Sequence, residues 1–169
     1  MAEEYKVIQG FEKYQVSNLG NVRNSKTLRE LKPRLNNSGY YQVHLMNNDG
    51  ISKRAKLLHR LVCESFKLNP NAKRCVDHIN NNRLDNRIEN LRFATYSENK
   101  FNSKVYKNNK SSAKGVAYDT EREKYMVYIY KNGKRFYLGR YESLEEAIEK
   151  RKQASNQMFK EFTHQSERN

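Results

Sequence analysis

The chain has 169 residues, of which 33 are Lys or Arg and 19 are Asp or Glu, and its formal net charge is +14. Hydrophobic residues make up 36% of the chain, so we expect two or three small modules with thin cores rather than one large core. The 12 Tyr and 7 Phe exclude disorder throughout, no apolar run approaches the ~20 residues of a membrane span, and the acidic, polar start predicts no secretory signal.

The positive charge is spread along the chain. Basic residues exceed acidic ones by four in residues 1–55, by four in residues 56–100 and by six in residues 101–169. A polyanion would attract every segment, which favours a nucleic-acid partner. The plainer alternative is a basic protein that has no such partner.

Residues 1–55 are predicted to form a β-rich module. Residues 14–17 and 22–23 flank a turn signal and predict a hairpin. Residues 41–45 alternate with period two, and after a second turn signal residues 51–58 can return as the paired strand.

The hydrophobic period then changes to that of a helix. Leu58, Leu61, Val62 and Phe66 fall on one helical face, and Pro70 follows shortly after. The pattern therefore predicts a helix over residues 58–66.

A polar stretch follows between two short apolar ones. Residues 75–79 and 88–95 predict short strands joined by a polar loop over residues 80–86. A helix is expected next, with Ser97 as its N-cap. Together these elements form a predicted domain over residues 56–103.

Residues 104–114 are predicted to be a basic linker. Asn, Ser and Lys dominate this stretch, and the lysines are Lys104, Lys107, Lys110 and Lys114. These four lysines either contact phosphates or belong to a solvated tether, and both interpretations stay open.

Residues 115–162 are predicted to form the last domain, followed by a tail over residues 163–169. Asn132-Gly133 joins two strand patterns, which is a strong hairpin signal. Ser143 and Glu146 have the spacing of a capping box at the start of a helix.

The two strands of this hairpin have two different faces. Val127, Ile129, Phe136 and Leu138 are expected to face the helix. The opposite face then carries Tyr128, Tyr130, Arg135 and Tyr137. An exposed aromatic and basic face predicts a binding surface for nucleic acid, although tyrosines can also simply cover a sheet.

The candidates for chemistry are His59, Asp77, His78, Asn90 and Asn99. Phosphodiester cleavage needs a base for the attacking water and positive charge on the phosphate and leaving oxygen. A neutral imidazole can act as that base, and one Mg²⁺ held by a carboxylate, an amide oxygen and waters can supply the charge. Asp-His pairs also occur by chance, so the residues alone leave catalysis open.

The two cysteines, Cys63 and Cys75, cannot build a disulfide framework and are predicted to be free thiols. A zinc site is the alternative. Its four ligands would come from His59 with Cys63 and from Cys75 with His78.

Several motifs in order resemble the HNH nucleases of the phage-type, intron-encoded homing group. They are Leu58-His59-Arg60-Leu61-Val62, Val76-Asp77-His78-Ile79-Asn80-Asn81-Asn82, Asn90-Leu91-Arg92 and Glu98-Asn99. Residues 11–23 resemble the small module that commonly precedes this nuclease domain. Residues 115–147 are similar to the plant ethylene-response-factor DNA-binding domain, although this chain has no Trp.

The resemblance implies a ββα-metal site. Asp77 and Asn99 would be the metal ligands, His78 the general base, and Asn90 a brace for the loop around His78. His59 would have a structural role or contact phosphate, and the structural role is favoured. Amide ligation favours Mg²⁺ or Mn²⁺, one per active centre, over zinc.

The sequence thus predicts an α+β protein with a small β-rich N-terminal module, a ββα-metal (HNH) nuclease centre and a C-terminal three-stranded antiparallel sheet packed on one helix. We expect a site-directed HNH homing endonuclease that uses one metal ion and nicks one strand per active centre.

Double-stranded DNA is the expected partner, with no membrane and no small-molecule cofactor, and a monomer on DNA is favoured over an obligate dimer. The expected location is cytoplasmic, with a phage or other viral origin. The alternatives are a non-catalytic sequence-specific DNA-binding regulator and an RNA-binding protein.

Overall fold

A computed structural model describes residues 2–103 and 113–164. Lys104, Lys107 and Lys110 lie outside the described residues. The chain is a mixed α+β protein of small sheets and few helices, which confirms the predicted fold class. It divides into two compact units, Met1–Thr95 and Tyr96–Asn169.

The first unit contains eight strands and one α-helix. They are β1 (Tyr5–Ile8), β2 (Phe11–Ser17), β3 (Val22–Asn24), β4 (Arg34–Leu35), β5 (Tyr41–Met46), β6 (Lys53–Leu57), α1 (Leu58–Phe66), β7 (Cys75–His78) and β8 (Leu91–Ala94). A 3-10 helix, Ile88–Asn90, precedes β8. The strands form three antiparallel sheets in the orders β1-β2-β3, β4-β5-β6 and β7-β8.

The hairpins predicted for the N-terminal module are confirmed. Strand β2 pairs with β3, and β5 pairs with β6. Sequence analysis missed two strands, β1 and β4. The burial of the four residues of β1 does not alternate, and β4 is two exposed residues long, so neither strand shows the alternating pattern of a half-buried strand.

Helix α1 has the predicted bounds, and its apolar face is buried. Leu58, Leu61 and Val62 are at most 5% exposed. The helix packs against strands from both the N-terminal module and the β7-β8 hairpin. One core therefore joins the two segments, and its buried members are Ile8, Phe11, Val16, Val22, Val43, Leu45, Leu58, Leu61, Val62, Cys63, Val76 and Leu91.

The segment around β8 differs in detail from the prediction. Its first three residues form the 3-10 helix, and only Leu91–Ala94 are paired as a strand with β7. The following helix, α2 (Tyr96–Phe101), begins one residue before Ser97. The prediction of Ser97 as the N-cap is therefore wrong, and its hydroxyl instead accepts a hydrogen bond from the Asn132 amide at 3.1 Å.

The second unit combines a sheet with two α-helices. After α2 come β9 (Val116–Asp119), β10 (Lys124–Lys131), β11 (Lys134–Tyr141), α3 (Leu144–Phe159) and a second 3-10 helix, Lys160–Phe162. The sheet is antiparallel in the order β11-β10-β9, and α3 packs on it over a core of Val116, Val127 and Ala147.

Local signals set the turn and the helix start in this unit. Asn132 and Gly133 have φ values of 51° and 77°, as a type I′ hairpin requires. The Ser143 hydroxyl accepts a hydrogen bond from the Glu146 amide at 3.1 Å, which confirms Ser143 as the N-cap of α3. Thr163, the first residue of the predicted tail, is fully buried, and its hydroxyl donates to the Ser155 carbonyl at 3.2 Å.

None of the helices in the described part of the chain combines the length and the apolar character that crossing a bilayer demands.

The shared core of the first unit leads to a stability prediction. Leu45 precedes α1 and Leu91 follows it, and both are 0% exposed. We expect Leu45→Ala and Leu91→Ala each to lower the free energy of unfolding by about 2–5 kcal/mol, because each leaves a cavity in the same core. Urea denaturation measures the change. Leu35→Ala, at a site 55% exposed, is the control, and its effect should stay within about 0.5 kcal/mol.

Candidate active site

Asp77 and His78 end strand β7, and both side chains are buried, at 4% and 6% exposure. Pairing with β8 places Asp77 opposite Arg92 and His78 opposite Leu91. The hairpin is closed by the polar loop and the 3-10 helix. The two predicted site residues therefore lie at the point where a short sheet meets a loop.

Asp77 is paired with a buried arginine. Arg92 Nε donates a hydrogen bond to Asp77 Oδ2 at 2.8 Å, and a terminal guanidinium nitrogen forms an ion pair with the same oxygen at 2.8 Å. Charge-assisted bonds of this kind fix the position of a carboxylate. Removal of the Asp77 charge would leave the Arg92 charge buried, which is costly.

The His78 side chain contacts the polar loop. Its Nε2 lies 3.2 Å from Asn86 Oδ1. Burial lowers the pKa of His78 below the ordinary value of 6.5, and the bond to Asn86 and the charges of Asp77 and Asp85 oppose this effect. His78 is therefore mostly neutral at pH 7 and able to accept a proton.

Asn90 closes the loop that follows His78. Its Oδ1 accepts from the Asn80 amide at 2.9 Å, and its Nδ2 donates to the Asp85 carbonyl at 2.8 Å. Its own carbonyl accepts from the Ile79 amide at 2.8 Å. Asn90 thus holds both ends of the loop through side-chain and main-chain bonds.

The Asp85 side chain adds further hydrogen bonds within this loop. Its carboxylate accepts two bonds from Arg87, at 2.8 and 2.9 Å, and one from Asn80 Nδ2 at 2.9 Å. The bond from Arg87 is the main cause that lowers the pKa of Asp85 to about 2. Asp85 therefore stays ionised and keeps the loop ordered throughout the neutral pH range.

His59, on α1, packs against His78. The two rings are 5.1 Å apart in an edge-on arrangement, and Tyr40 is 5.0 Å from the His59 ring. The Nδ1 atom of His59 is buried and has no hydrogen-bond partner among the described residues. Burial, then the proximity of His78, lowers the pKa of His59 to about 3, so this ring is neutral.

Two contributors to this site were not found from the sequence. Asn86 is buried at 5% exposure and contacts His78, and Tyr40 lies between the His59 ring and the Arg83 guanidinium, 4.9 Å from the latter. Asn86 belongs to residues 80–86, which the sequence predicted only as a polar loop. Tyr40 lies 38 positions before His78 in the chain, so no local pattern connects them.

Asn99 lies on α2 and is half-buried. This helix belongs to the second compact unit, whereas Asp77 belongs to the first. Joint ligation of a metal ion by Asp77 and Asn99 therefore stays a prediction from the motif.

The described residues hold no group of three or more His, Cys, Asp or Glu side chains placed to bind a metal ion. Both cysteines are free, and burial raises the pKa of the Cys63 thiol to about 11. Cys63 is therefore a protonated side chain of the core.

The face predicted for nucleic-acid contact exists in the second unit. Tyr128 pairs with Tyr137, and Tyr130 pairs with Arg135 across the β10-β11 ladder. The Arg135 guanidinium lies 4.6 Å from the centre of the Tyr128 ring. Tyr130 and Tyr137 are 53% and 52% exposed, so the face is open to solvent.

Two residues of this unit depart from the expected arrangement. Phe136 shares a face with buried Ile129 but remains 40% exposed, because it lies on the edge strand β11. Phe136 thus lies on the predicted face of the sheet but is only partly covered. Lys114 is half-buried and donates to the Phe101 carbonyl at 2.8 Å.

Comparison with known protein families identifies both halves of the first unit. Residues 3–46 match the NUMOD4 motif, and residues 56–101 match the HNH endonuclease family. Asp77, His78 and Asn90 all lie within the segment that matches the HNH endonuclease family.

Two relatives of this chain are viral proteins. It is 49% identical over 94 residues to the uncharacterized HNH endonuclease L247 of Acanthamoeba polyphaga mimivirus, covering 54% of this chain and 23% of the relative. It is 35% identical over 97 residues to DNA endonuclease I-HmuI of Bacillus phage SP01, covering 57% and 55%.

A solved structure supports the same relationship. The structure, of DNA binding and cleavage by the HNH homing endonuclease I-HmuI, matches with a TM-score of 0.50 and 35% identity over 54% of this chain and 52% of that chain. The chain spans between 23% and 55% of the length of the relatives named above.

Burial of His59 leads to a prediction on acid stability in the HNH domain. Its pKa is about 3 when folded and about 6.5 when unfolded. Between these values the unfolded chain binds a proton that the folded chain does not, so stability falls as pH falls. The slope from this residue is at most about 1.4 kcal/mol per pH unit.

We expect His59→Phe to show a shallower loss of stability than the wild type between about pH 6 and pH 4, because it removes one buried imidazole. Urea denaturation at several pH values measures this. An equal pH dependence of the free energy of unfolding in the two proteins would show that His59 is protonated in the folded state.

Proposed function

We propose that this chain is a metal-dependent DNA endonuclease of the HNH homing type that hydrolyses phosphodiester bonds. The observation that carries the proposal is the pair Asp77-His78 within the matched HNH domain, with both side chains buried and each held by its own partner. The similarity to DNA endonuclease I-HmuI supports DNA as the substrate.

His78 is the general base in this proposal. Burial keeps its imidazole neutral, and a neutral ring has one nitrogen that can accept a proton from the attacking water. Asn90 contributes indirectly, since its bonds to Asn80, Asp85 and Ile79 hold the loop next to His78.

Asp77 and Asn99 would hold the divalent cation. A carboxylate and an amide oxygen are hard donors that suit Mg²⁺ or Mn²⁺ better than zinc. Mg²⁺ commonly binds through one or two carboxylates together with waters and phosphate oxygens, so a small set of protein ligands fits it. When bound, the cation would stabilise negative charge on the phosphate and the leaving oxygen.

Arg92 then has a defined part in the site. By holding Asp77 Oδ2 through a hydrogen bond and an ion pair, it fixes the direction of the carboxylate before any cation arrives. It also compensates the charge of a carboxylate that burial would otherwise penalise. We assign Arg92 as a positioning residue for Asp77.

Double-stranded DNA is the proposed partner. The net charge of +14 attracts a polyanion, and the open face of Tyr128, Tyr130, Arg135 and Tyr137 in the second unit offers an arginine that can pair with guanine. Phosphate contacts carry little sequence information, so we place site preference on this face. One active centre per chain cuts one strand, so a monomer should nick DNA.

The first test of this proposal concerns His78. We expect His78→Ala to lower the rate of Mg²⁺-dependent nicking by about two to four orders of magnitude, the usual contribution of a general base. Its affinity for DNA should stay unchanged because the charge at pH 7 is unchanged. Gel analysis of supercoiled plasmid measures nicking, and electrophoretic mobility shift measures binding.

His44→Ala is the matched control, since His44 is exposed on β5. Its nicking rate should equal that of the wild type. Asp77→Asn should also lose nicking, and unlike Asp77→Ala it keeps the shape of the side chain beside Arg92. Full nicking by His78→Ala would overturn the assignment of His78 as the base, and absence of nicking by the wild type would favour a DNA-binding regulator.

The second test concerns site preference. We expect Arg135→Ala to weaken specific DNA binding by about 1–3 kcal/mol, the range for one bidentate base contact, and to change non-specific affinity little. Arg122→Ala, an exposed arginine beyond β9, is the control and should bind like the wild type. Profiling of nicks along one long DNA shows which variant changes the cut sites. Unchanged sites in Arg135→Ala would place the preference elsewhere in the chain.

A further inference from the structure

The orientation of the Asn86 side chain is determined by two contacts. Its Nδ2 donates to the Leu84 carbonyl at 3.1 Å, and its Oδ1 lies 3.2 Å from His78 Nε2. A main-chain carbonyl can only accept, so the NH₂ end of the amide must face Leu84. The oxygen end is therefore the one that faces His78.

This orientation decides where the proton of His78 resides. An amide oxygen has no hydrogen to donate, so a hydrogen bond at this contact requires the proton on His78 Nε2. In a neutral imidazole the other nitrogen is then the acceptor. The contact with Asn86 thus makes Nδ1 the atom that can take a proton from water.

We propose that Asn86 is a positioning residue that fixes the Nε2–H tautomer of His78, and that Gly20 in the NUMOD4 motif provides the space in which Asn86 sits. The importance of this tautomer for cleavage rests on the proposed function, whereas the tautomer itself does not depend on it.

Gly20 connects the NUMOD4 motif to this arrangement. Its φ is +92°, and a Cβ atom at this position would lie 3.2 Å from Asn86 Cβ and 3.4 Å from the Asn86 carbonyl oxygen. Nearby, the Asn18 carbonyl accepts a hydrogen bond from the Ile88 amide at 2.8 Å. The turn at Asn18 and Gly20 therefore contacts the loop that follows His78 on both sides of Arg87, at Asn86 and at Ile88.

The buried position of Asn18 makes this turn a firm support. Asn18 is 2% exposed, its Oδ1 accepts from the Glu4 amide at 3.0 Å, and its Nδ2 donates to the Ala2 carbonyl at 2.9 Å. These bonds resist displacement of the turn by a side chain at position 20, which would have to shift Asn86 or the turn by a few tenths of an ångström. Gly20 is thus required for two reasons, its left-handed backbone and the close approach of Asn86.

The first experiment reads the tautomer directly. Nitrogen-15 NMR correlation spectra of the metal-free full chain distinguish Nε2–H from Nδ1–H, and His78→Gln identifies the His78 signals by their loss. We expect the Nε2–H form in the wild type. Asn86→Leu, which removes the acceptor oxygen, should give a mixture of both tautomers.

An Nδ1–H tautomer in the wild type would overturn the proposal, and so would an unchanged tautomer in folded Asn86→Leu. The wild-type spectrum decides the first point even if Asn86→Leu does not fold. Because these spectra need neither metal nor DNA, they test the inference separately from the nuclease activity.

The second experiment uses two glycines with similar backbones. Gly20→Ala and Gly10→Ala both place a side chain at a left-handed φ, +92° and +78°, but a Cβ at Gly10 meets nothing within 4 Å. We expect Gly20→Ala to lower the Mg²⁺-dependent nicking rate by about 10- to 100-fold at unchanged DNA affinity. Gly10→Ala should keep the wild-type rate.

Equal nicking rates in the two glycine variants would overturn the role of Gly20. If the wild-type chain does not nick DNA at all, the proposed function fails, and the His78 tautomer in Gly20→Ala then decides the inference. A shift from Nε2–H in Gly20→Ala but not in Gly10→Ala supports it, and no shift in either overturns it.

Discussion

The hydrophobic core of the first unit is the constraint on which the proposed active site depends. Helix α1 buries Leu58, Leu61 and Val62 against strands that come from both sides of it in the chain. His59 lies on the same helix and is buried with it. The apolar packing therefore fixes the backbone of the site and also removes water from its imidazole rings.

The electrostatic state of the site follows from that burial. Loss of water disfavours charged imidazole, so both His59 and His78 have lowered pKa values. A buried carboxylate would suffer the same penalty, and Arg92 offsets it for Asp77. A neutral imidazole and a compensated carboxylate can thus lie next to each other in a strongly basic protein.

The parts of the fold that sequence analysis predicted are those with local signals. Three such signals each lie within a few neighbouring residues: the Asn132-Gly133 turn, the Ser143 cap and the helical period of α1. The structure confirms all three. Strand β4, by contrast, is two exposed residues long and is too short to show hydrophobic alternation. At α2 the polar residue that resembled a cap lies within the first turn of the helix.

The residues of the candidate site also divide into those with a local sequence signal and those without one. Asp77 and His78 could be predicted because the motif around them is contiguous. Asn86 and Tyr40 could not be assigned, because their contacts to the histidines form only when the loop and the N-terminal segment fold onto β7. Arg92 was part of a recognised motif, but its ion pair with Asp77 depends on the register of β7 and β8.

The small size of the β7-β8 hairpin explains why the NUMOD4 motif and the HNH domain form one compact unit. Each strand is four residues long, and of these strands only Val76 and Leu91 enter the shared core as buried members. The burial of two such side chains cannot offset the conformational entropy that is lost when a long polar loop becomes ordered. The sheets of the N-terminal segment supply the missing apolar surface, and the turn at Asn18 and Gly20 contacts the loop directly. The loop that holds His78 is thus shaped by residues outside the segment that matches the HNH family, so variation in the NUMOD4 motif should alter the active centre as well as the surface around it.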